Sequence, residues 1–345
     1  MKFSFNILKK KILYRIALVL LLCPLLVGGW LALYSLQSGP GQEAEDAIVL
    51  IPPGSGLKQI GTILAEAGLI DEDIRFLLLA RYLGLSRKLP AGEFRLSLGK
   101  TPGNVLRQLA AAKPVRYAVT IPEGLQIEEV ADIFAAGGWC DRKDFIALAH
   151  APEFIESLGI TSGRSLEGYL YPDTYYLTRE QRDAKNLITM QVNRFEKVWA
   201  GLESDPEHPL SRHEIITLAS VVEKETGAPE ERPLIAAVFL NRLKTRMRLQ
   251  SDPTVIYGLE NFSGTLTRTD LRTEHPYNTY VIPALPVGPI CNPGQKAMEA
   301  VLRPAATDFF YFVSKNNGTH QFSKNLSEHN KAVQEYQRRK KASEE

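Results

Sequence analysis

The longest hydrophobic stretch of the chain runs from Ile16 to Leu36 and contains almost no polar side chains. As an α-helix it would rise about 32 Å, enough to cross a hydrocarbon core of about 30 Å. Five basic residues precede the stretch, whereas the next basic residue after it is Lys58. By the positive-inside rule, this pattern predicts one membrane-spanning helix with its N-terminus in the cytoplasm.

A cleaved signal peptide is the alternative interpretation of the same stretch. The apolar run exceeds the usual length of about 7 to 15 residues, and no small-residue cleavage site follows it. A lipoprotein signal at Cys23 fits less well, because a leucine precedes that residue and Pro24 follows it. The predicted order is a cytoplasmic tail, a transmembrane anchor, a linker and an extracytoplasmic (periplasmic) region, at 1–15, 16–36, 37–47 and 48–345.

A repeat with an offset of 70 residues organises the first part of this region. Residues 51–80 overlay residues 121–150 without gaps. Both copies show a β-rich run, a Pro-x-Gly turn, a helix that stops at Gly68 or Gly138, and a second helix. The copies resemble the LysM-type module, which binds glycans that contain N-acetylglucosamine. A purely structural scaffold explains the repeat nearly as well, because strand-helix-helix units are common.

The apolar spacing between the copies predicts a strand at 92–98 and a helix at 102–112. We therefore expect a LysM-like module at 48–115 and a second repeat unit at 116–160. Past the repeats, patterns predict a helix at 233–245, a rigid proline-rich loop at 277–294, and strands at 309–313 and 320–322 around an Asn-Gly turn. A closing helix begins near Ser327. The predicted fold class is α+β, with a mixed α+β catalytic domain at 161–345.

The helix that begins after Ser211 carries the most informative polar pattern. Ser211 and Glu214 form a capping-box pair, and Gly227 is a typical stop. The apolar stripe consists of Ile215, Leu218, Ala219 and Val222. Glu223 and Glu225 lie on opposite borders of the stripe and diverge by about 160°. A glycosidase pair must converge on one bond within about 5 to 10 Å, so at most one of the two is the chemical residue.

Composition narrows the classes of function. The chain has a net charge of +2, 44% hydrophobic and 23% charged residues, which is typical of globular domains and argues against a nucleic-acid partner. Cys140 and Cys291 are the only cysteines beyond the apolar stretch, and two free thiols are favoured over a disulfide. The spacing of Cys and His offers no metal site, and no cofactor motif is present.

Tyrosines, carboxylates and amides cluster in several predicted loops, including the segment RSLEGYLYPDTYYL from Arg164. Sugar rings stack on aromatic faces, and polar side chains bind hydroxyls, although tyrosines also pack cores. The candidate substrate-binding residues are Ser220, Glu225, Gln250, Asp252, Tyr257, Tyr277, Asn278, Tyr280, His320, Phe322, Asn325, Asn330, Glu167 and Tyr171.

An ordered set of motifs carries a family resemblance. ASVVEKET, FLNRL, LQSDPTVIYG, YNTY, LPVGPI with NPG, FYFV, and H-x-F with E-H-N follow one another behind the anchor. This set closely resembles the endolytic murein transglycosylase (YceG-like) family and is specific from about Leu166 onward. The resemblance implies a peptidoglycan lytic transglycosylase of the inner membrane that acts on glycan strands, with peptidoglycan synthases as candidate partners. It also implies Glu223 as the catalytic glutamate and Glu225 as a supporting or structural carboxylate.

The implied chemistry needs only one carboxyl group. A glutamate buried against apolar groups can hold a raised pKa and protonate the leaving oxygen. The 6-hydroxyl of the sugar then closes on the anomeric carbon and forms a 1,6-anhydro end, so no second carboxylate is required to activate water. A hydrolytic muramidase and a noncatalytic peptidoglycan-binding scaffold remain as alternatives.

Overall fold

The computed structural model describes residues 2–41, 45–202, 208–260 and 262–338, without the side chains of 2–12, 17 and 338. Part of the predicted linker and the lysine side chains ahead of the apolar helix lie outside this description. The chain divides into two compact units. Unit 1 comprises 1–117 and 177–180, and unit 2 comprises 118–176 and 181–345. The two repeat copies therefore belong to different units.

Within the described residues, helices and three small two-stranded sheets make up the structure, as the predicted α+β class requires. The helices are α1 (Lys2–Leu36), α2 (Leu57–Glu66), α3 (Ile74–Tyr82), α4 (Pro102–Ala111), α5 (Ile127–Ala136), α6 (Arg142–Ala149), α7 (Pro152–Ser157), α8 (Ala184–Gly201), α9 (Arg212–Glu225), α10 (Arg232–Lys244), α11 (Asp252–Gly258), α12 (Gln295–Leu302) and α13 (Leu326–Val333). The paired strands are β1 (Asp46–Ile51) with β2 (Gly92–Ser97), β3 (Tyr117–Thr120) with β4 (Thr174–Leu177), and β5 (Tyr311–Ser314) with β6 (His320–Ser323).

Unit 1 packs α2, α3 and α4 around the antiparallel β1-β2 pair. The strands bury alternate side chains, with Val49 directly opposite Phe94 in the register. Helix α1 contains a segment, Leu13–Leu36, that is long and apolar enough to cross a membrane. Its end also joins the core of unit 1, since Tyr34 is only 1% exposed there.

The strand-helix-helix repeat is present in both units. Helices α2 and α5 begin and end 70 positions apart, as the sequence overlay predicts. The Pro-x-Gly turns place Gly54 and Gly124 at φ of +79° and +80°, and the helix stops place Gly68 and Gly138 at +73° and +66°. Side chains with a Cβ rarely adopt this left-handed region, which explains why glycine stands at matching positions in both copies.

Helix α9 lies at the centre of unit 2. Its capping box forms as predicted, with the Ser211 hydroxyl accepting from the Glu214 N–H. The apolar stripe was only part of the buried surface, because all eight residues from Ile215 to Val222 are buried. Helices α10, α11 and α12 pack around α9, so even its polar positions Thr217 and Ser220 face protein.

Local differences from the predicted elements have clear physical causes. Gly227 does not end α9 in a left-handed conformation: it allows close approach, since a Cβ there would lie 2.7 Å from the carbonyl oxygen of Gly318. Helix α11 begins at Asp252, two residues after Gln250, and Pro253 in its first turn supports that start. The proline-rich loop and the C-terminal hairpin occur as predicted.

Candidate active site

The two carboxylates of α9 have different surroundings. Glu223 accepts from Arg232 Nη2 at 2.8 Å through Oε1 and from the Gly294 N–H at 3.0 Å through Oε2. Only 7% of its side chain is exposed. Arg232 also lies 3.6 Å from Glu123, in the Pro-x-Gly turn of the second repeat copy. Both oxygens of Glu223 are thus used to join α9 to neighbouring segments.

Glu225 reaches a cleft at the end of the same helix. The Ser251 hydroxyl donates to its Oε1 at 2.5 Å. Among the residues that the structure describes, none donates a hydrogen bond to Oε2. Burial raises the pKa of Glu225, and the carboxylate of Asp252 adds to that rise, while the Ser251 hydrogen bond opposes it. The carboxyl group is therefore suited to hold a proton on its free oxygen.

The cleft has a volume of about 360 Å³ and combines polar and aromatic side chains. Its lining residues are Glu225, Arg242, Gln250, Asp252, Tyr280, Tyr311, Phe312, Leu326 and His329. The structure thus brings together four of the residues singled out from the sequence.

The start of α11 positions the polar wall of the cleft. Gln250 adopts a φ of +53°, and its N–H donates to the carbonyl of Thr279 at 3.1 Å. The Tyr280 hydroxyl donates to Asp252 Oδ1 at 2.6 Å. Because the segment before α11 and the YNTY segment are hydrogen-bonded to each other, Gln250, Asp252 and Tyr280 lie on one side of the cleft.

Arg242 is a structural cleft residue that the sequence prediction missed. It is 7% exposed and donates to the carbonyls of Phe310 at 2.7 Å and Leu249 at 2.5 Å, so it ties α10 to the segments on both sides of the cleft. Its guanidinium also lies 5.5 Å from the centre of the Tyr311 ring. The available signal was the arginine of the motif FLNRL, which lies between an asparagine and a leucine on a largely apolar helix.

Tyr311 and His329 form the aromatic wall. Their rings stack with centroids 5.1 Å apart. Burial lowers the pKa of His329, and the nearby charge of Arg242 adds to this effect. A neutral imidazole beside a tyrosine ring offers a flat face on which a sugar ring could stack.

Three predicted substrate-binding residues are buried and bonded within the protein. Ser220 donates to the Thr217 carbonyl and accepts from the Ile290 N–H. Asn278 donates to the carbonyls of Asp270 and Thr273. Glu167 is 2% exposed. Side chains so enclosed have no surface to offer a glycan, and the sequence could not show this because polar residues are rarely buried.

The other candidates lie at varied places in unit 2. Tyr257 donates to Glu167 and packs against Tyr277, with ring centroids 4.7 Å apart. Tyr171 is 7% exposed and lies under the Arg194 guanidinium. Around the hairpin, His320 pairs with Glu231 at 2.7 Å, Phe322 packs on the Phe309 and Phe312 rings, Asn325 caps α13, and Asn330 is exposed.

Glu167 lies at a buried junction. It accepts from the Ile127 N–H, the Tyr257 hydroxyl and the Asn292 side-chain amide. Burial raises its pKa to about 8, although the hydrogen bonds from Ile127 and Tyr257 oppose the rise. The folded state therefore favours the protonated form of this carboxyl group.

This junction predicts a pH dependence of stability. The Glu167 carboxyl group has a pKa of about 8 in the folded state, against an ordinary value of 4.5. Its protonation therefore stabilises the fold in full below pH 4.5, and this stabilisation is lost as pH rises toward 8. Thermal unfolding of Glu167→Gln is expected to lose this pH dependence, worth roughly 1 kcal/mol per pH unit between pH 6 and 8. An unchanged slope in the variant would contradict the assignment. Its melting temperature at pH 6 is expected to fall, because an amide cannot accept from all three donors.

Comparison with known proteins agrees with the motif pattern. The YceG-like family matches this chain over residues 49–335. The chain belongs to that family. It is 33% identical over 301 residues to a protein of Bacillus subtilis named endolytic murein transglycosylase, covering 83% of both chains. A protein of Streptococcus pneumoniae with the same name is 30% identical over 318 residues, and the match covers 83% of this chain and 57% of that protein.

A solved structure supports the same membership. The crystal structure of a YceG-like protein from Listeria monocytogenes superposes with a TM-score of 0.56 at 33% sequence identity. The match covers 84% of this chain and 99% of the other. Every lining residue of the cleft falls inside the family match.

Proposed function

We propose that this protein is an endolytic peptidoglycan lytic transglycosylase. It cleaves the β-1,4 bond between N-acetylmuramic acid and N-acetylglucosamine and leaves a 1,6-anhydro-muramic acid end. The observation that carries the chemistry is a carboxyl group with a raised pKa and one free oxygen, Glu225 Oε2, in a cleft with polar and aromatic walls. The names of the relatives supply the substrate class.

The geometry favours Glu225 over Glu223 as the proton donor. Glu223 has both oxygens engaged, one in an ion pair with Arg232 and the other with the Gly294 N–H. Glu225 has no ion-pair partner within the described residues, and burial favours its neutral form. Glu225, to which the family resemblance assigned a supporting or structural role, thus has the properties of an acid. Glu223, to which the resemblance assigned the chemistry, has the properties of a structural ion-pair residue.

Each proton in the reaction can be followed through Glu225. Its Oε2–H bond breaks as the proton moves to the glycosidic oxygen, and the C1–O4 bond breaks. The 6-hydroxyl of the same sugar then forms a bond to C1, and its proton returns to Oε2, so acid and base are one group. Intramolecular attack has a high effective molarity, and no water is consumed. Activity is expected to fall as pH rises above the raised pKa of Glu225.

Asp252 alters one premise drawn from the sequence. The helix geometry left no second carboxylate near the reacting group, yet the structure places exposed Asp252 in the same cleft, held by Tyr280. A negative charge there can stabilise the oxocarbenium-like centre, and it raises the pKa of Glu225. Held by a hydrogen bond from Tyr280, Asp252 serves as an electrostatic residue.

Replacement of Asp252 by Asn is expected to lower kcat by about 10- to 100-fold. The basic-side limb of the pH-rate profile should also move to lower pH, because Glu225 loses a neighbouring negative charge. Tyr280→Phe is the matched control: it keeps the carboxylate but removes its hydrogen bond, so a smaller effect is expected. A kcat equal to wild type in Asp252→Asn would contradict this role.

The products of digestion test the proposed reaction. Purified sacculi are incubated with the full chain in detergent, and the released and residual glycans are analysed by mass spectrometry. Anhydro ends are expected, together with shorter glycan strands. Reducing muramic acid ends would instead identify a muramidase, and unchanged glycan that binds the folded protein would identify a scaffold.

Location and partners complete the proposal. The apolar segment Leu13–Leu36 supports a single-pass anchor in the cytoplasmic membrane, with the enzyme outside it and the N-terminus inside. Such an anchor keeps the enzyme near nascent glycan, where it would end strands during wall assembly, and makes peptidoglycan synthases the expected partners. The strand-helix-helix repeat supports a LysM-like glycan-binding role for unit 1.

A further inference from the structure

The end of the apolar helix is part of the folded core of unit 1. Tyr34 is 1% exposed, and Leu31 packs against the same core. Arg75, in the first turn of α3, lies with its guanidinium 5.2 Å from the Trp30 ring and 4.7 Å from the Tyr34 ring. The last turns of α1 are therefore fixed to α3 and α4 rather than acting as a flexible tether.

This packing sets where the bilayer must end. The helix from Leu13 to Trp30 rises about 27 Å, close to a hydrocarbon thickness of about 30 Å. Beyond Trp30 the helix already contacts protein. Tryptophan is enriched at the membrane-water interface, and Trp30 remains 44% exposed. The outer boundary of the hydrocarbon region thus falls near Trp30, at the level of the first turn of α3.

Helix α3 carries an apolar face that the described part of unit 1 leaves uncovered. Ile74, Leu78 and Tyr82 are 68%, 37% and 81% exposed and recur every four residues, so they lie along one side of the helix. The face begins at Ile74, next to the residue that contacts Trp30. On α1 itself, Leu33 and Leu36 are 71% and 75% exposed past the boundary. Two neighbouring helices thus present unpaired apolar side chains beside the same interface.

Basic side chains accompany this face. Arg81 on α3, and Arg87 and Lys88 shortly after it, are exposed. Cations at a membrane surface attract anionic headgroups. Exposed Asp71 and Glu72 precede Ile74, so the basic residues flank the apolar stripe at its C-terminal end. An apolar stripe accompanied by basic residues is typical of a helix that lies in the interfacial plane.

We propose that the α3 face of Ile74, Leu78 and Tyr82 inserts into the outer leaflet of the bilayer that α1 spans. This inference rests on the proposed membrane anchorage. The occupant is the lipid surface, because the face is continuous with a helix that itself requires lipid. Unit 1 would then be seated on the membrane by two contacts, one spanning and one interfacial.

Single-cysteine labelling of the full chain, in liposomes that contain anionic lipid, tests whether the α3 face inserts into the bilayer. In a Cys140→Ala background, buried Cys291 stays unlabelled. A bimane label is placed at Ile74→Cys, Leu78→Cys or Tyr82→Cys, each with Cys23→Ala, and quenched by nitroxide lipids. The control site is Lys58→Cys, which is exposed on α2 of the same unit. The native Cys23, within the span, reports the anchorage.

We expect quenching at the three α3 sites to exceed that at Lys58→Cys by about twofold or more, as interfacial burial predicts. If Cys23 is quenched while the α3 sites behave like Lys58→Cys, the helix spans but the face does not insert, and the proposal is overturned. If the labels on α3 are shielded from a water-soluble quencher but are not quenched by nitroxide lipids, the face contacts protein. This result would also overturn the proposal. Absence of quenching at Cys23 would remove the anchorage on which the proposal depends, leaving the glycan chemistry untouched.

Discussion

Replacing Glu225 by Gln is expected to lower turnover of sacculi by about 10³-fold while leaving the fold intact. The amide keeps the size of the side chain and can still accept from the Ser251 hydroxyl, but it has no proton to give to the leaving oxygen. Removing a buried carboxyl group that favours its neutral form should leave the melting temperature near that of wild type. Mass spectrometry of anhydro products, with circular dichroism of the same sample, measures both quantities.

Glu223→Gln is the matched control on the same helix. It removes the nearer of the two carboxylates beside Arg232, whose side chain is only 13% exposed, so a lower melting temperature is expected. The folded fraction should retain anhydro-forming activity. If Glu223→Gln is well folded yet inactive, and Glu225→Gln is active, the chemical role belongs to Glu223 as the sequence motif predicts.

Gly168→Ala should destabilise unit 2 by about 3 kcal/mol or more, because the added methyl group meets both backbone strain and a packing clash. Gly168 adopts a φ of +87°, and a Cβ there would lie 2.6 Å from Pro289 Cγ and 2.9 Å from Ile216 Cγ2. If the backbone moved to relieve these close contacts, the hydrogen bond that the Gly168 N–H donates to Asn292 at 3.0 Å would weaken. Chemical denaturation of the full chain in detergent measures the loss.

Gly264→Ala separates the two causes of this loss. Gly264 has a φ of +92°, but a Cβ there meets nothing within 4 Å. It should therefore show only the cost of the left-handed backbone, about 1 to 2 kcal/mol. Equal losses of stability in both variants would show that Pro289 and Ile216 move aside without an energetic penalty. Close packing at Gly168 would then not determine the effect of the substitution.

Local patterns predicted the elements well because their causes are local. The capping box at Ser211, the glycine stops of the repeat and the proline-rich loop depend on residues a few positions apart. The 70-residue offset likewise needs only the chain itself. Helices α8 and α12 were not predicted, although both bury apolar side chains at helical spacing.

The choice between two carboxylates depended on distant residues. Helical geometry predicted correctly that Glu223 and Glu225 face different ways, but it could not predict which of them lines the cleft. That depends on Ser251, 26 positions further on, and on the hairpin that supplies Tyr311. Glu167 and Asn278 illustrate a different error. As polar side chains in predicted loops they were expected at the surface, whereas both are buried.

The eight consecutive buried residues of α9 have a consequence for how this enzyme can vary. Glu225, the proposed acid, lies on this enclosed helix, only three positions after Val222. The walls of the cleft, in contrast, come from the start of α11 and the C-terminal hairpin, which reach the surface. Substrate preference can therefore be redesigned, or drift between species, by exchanging wall segments while the proton donor keeps its place.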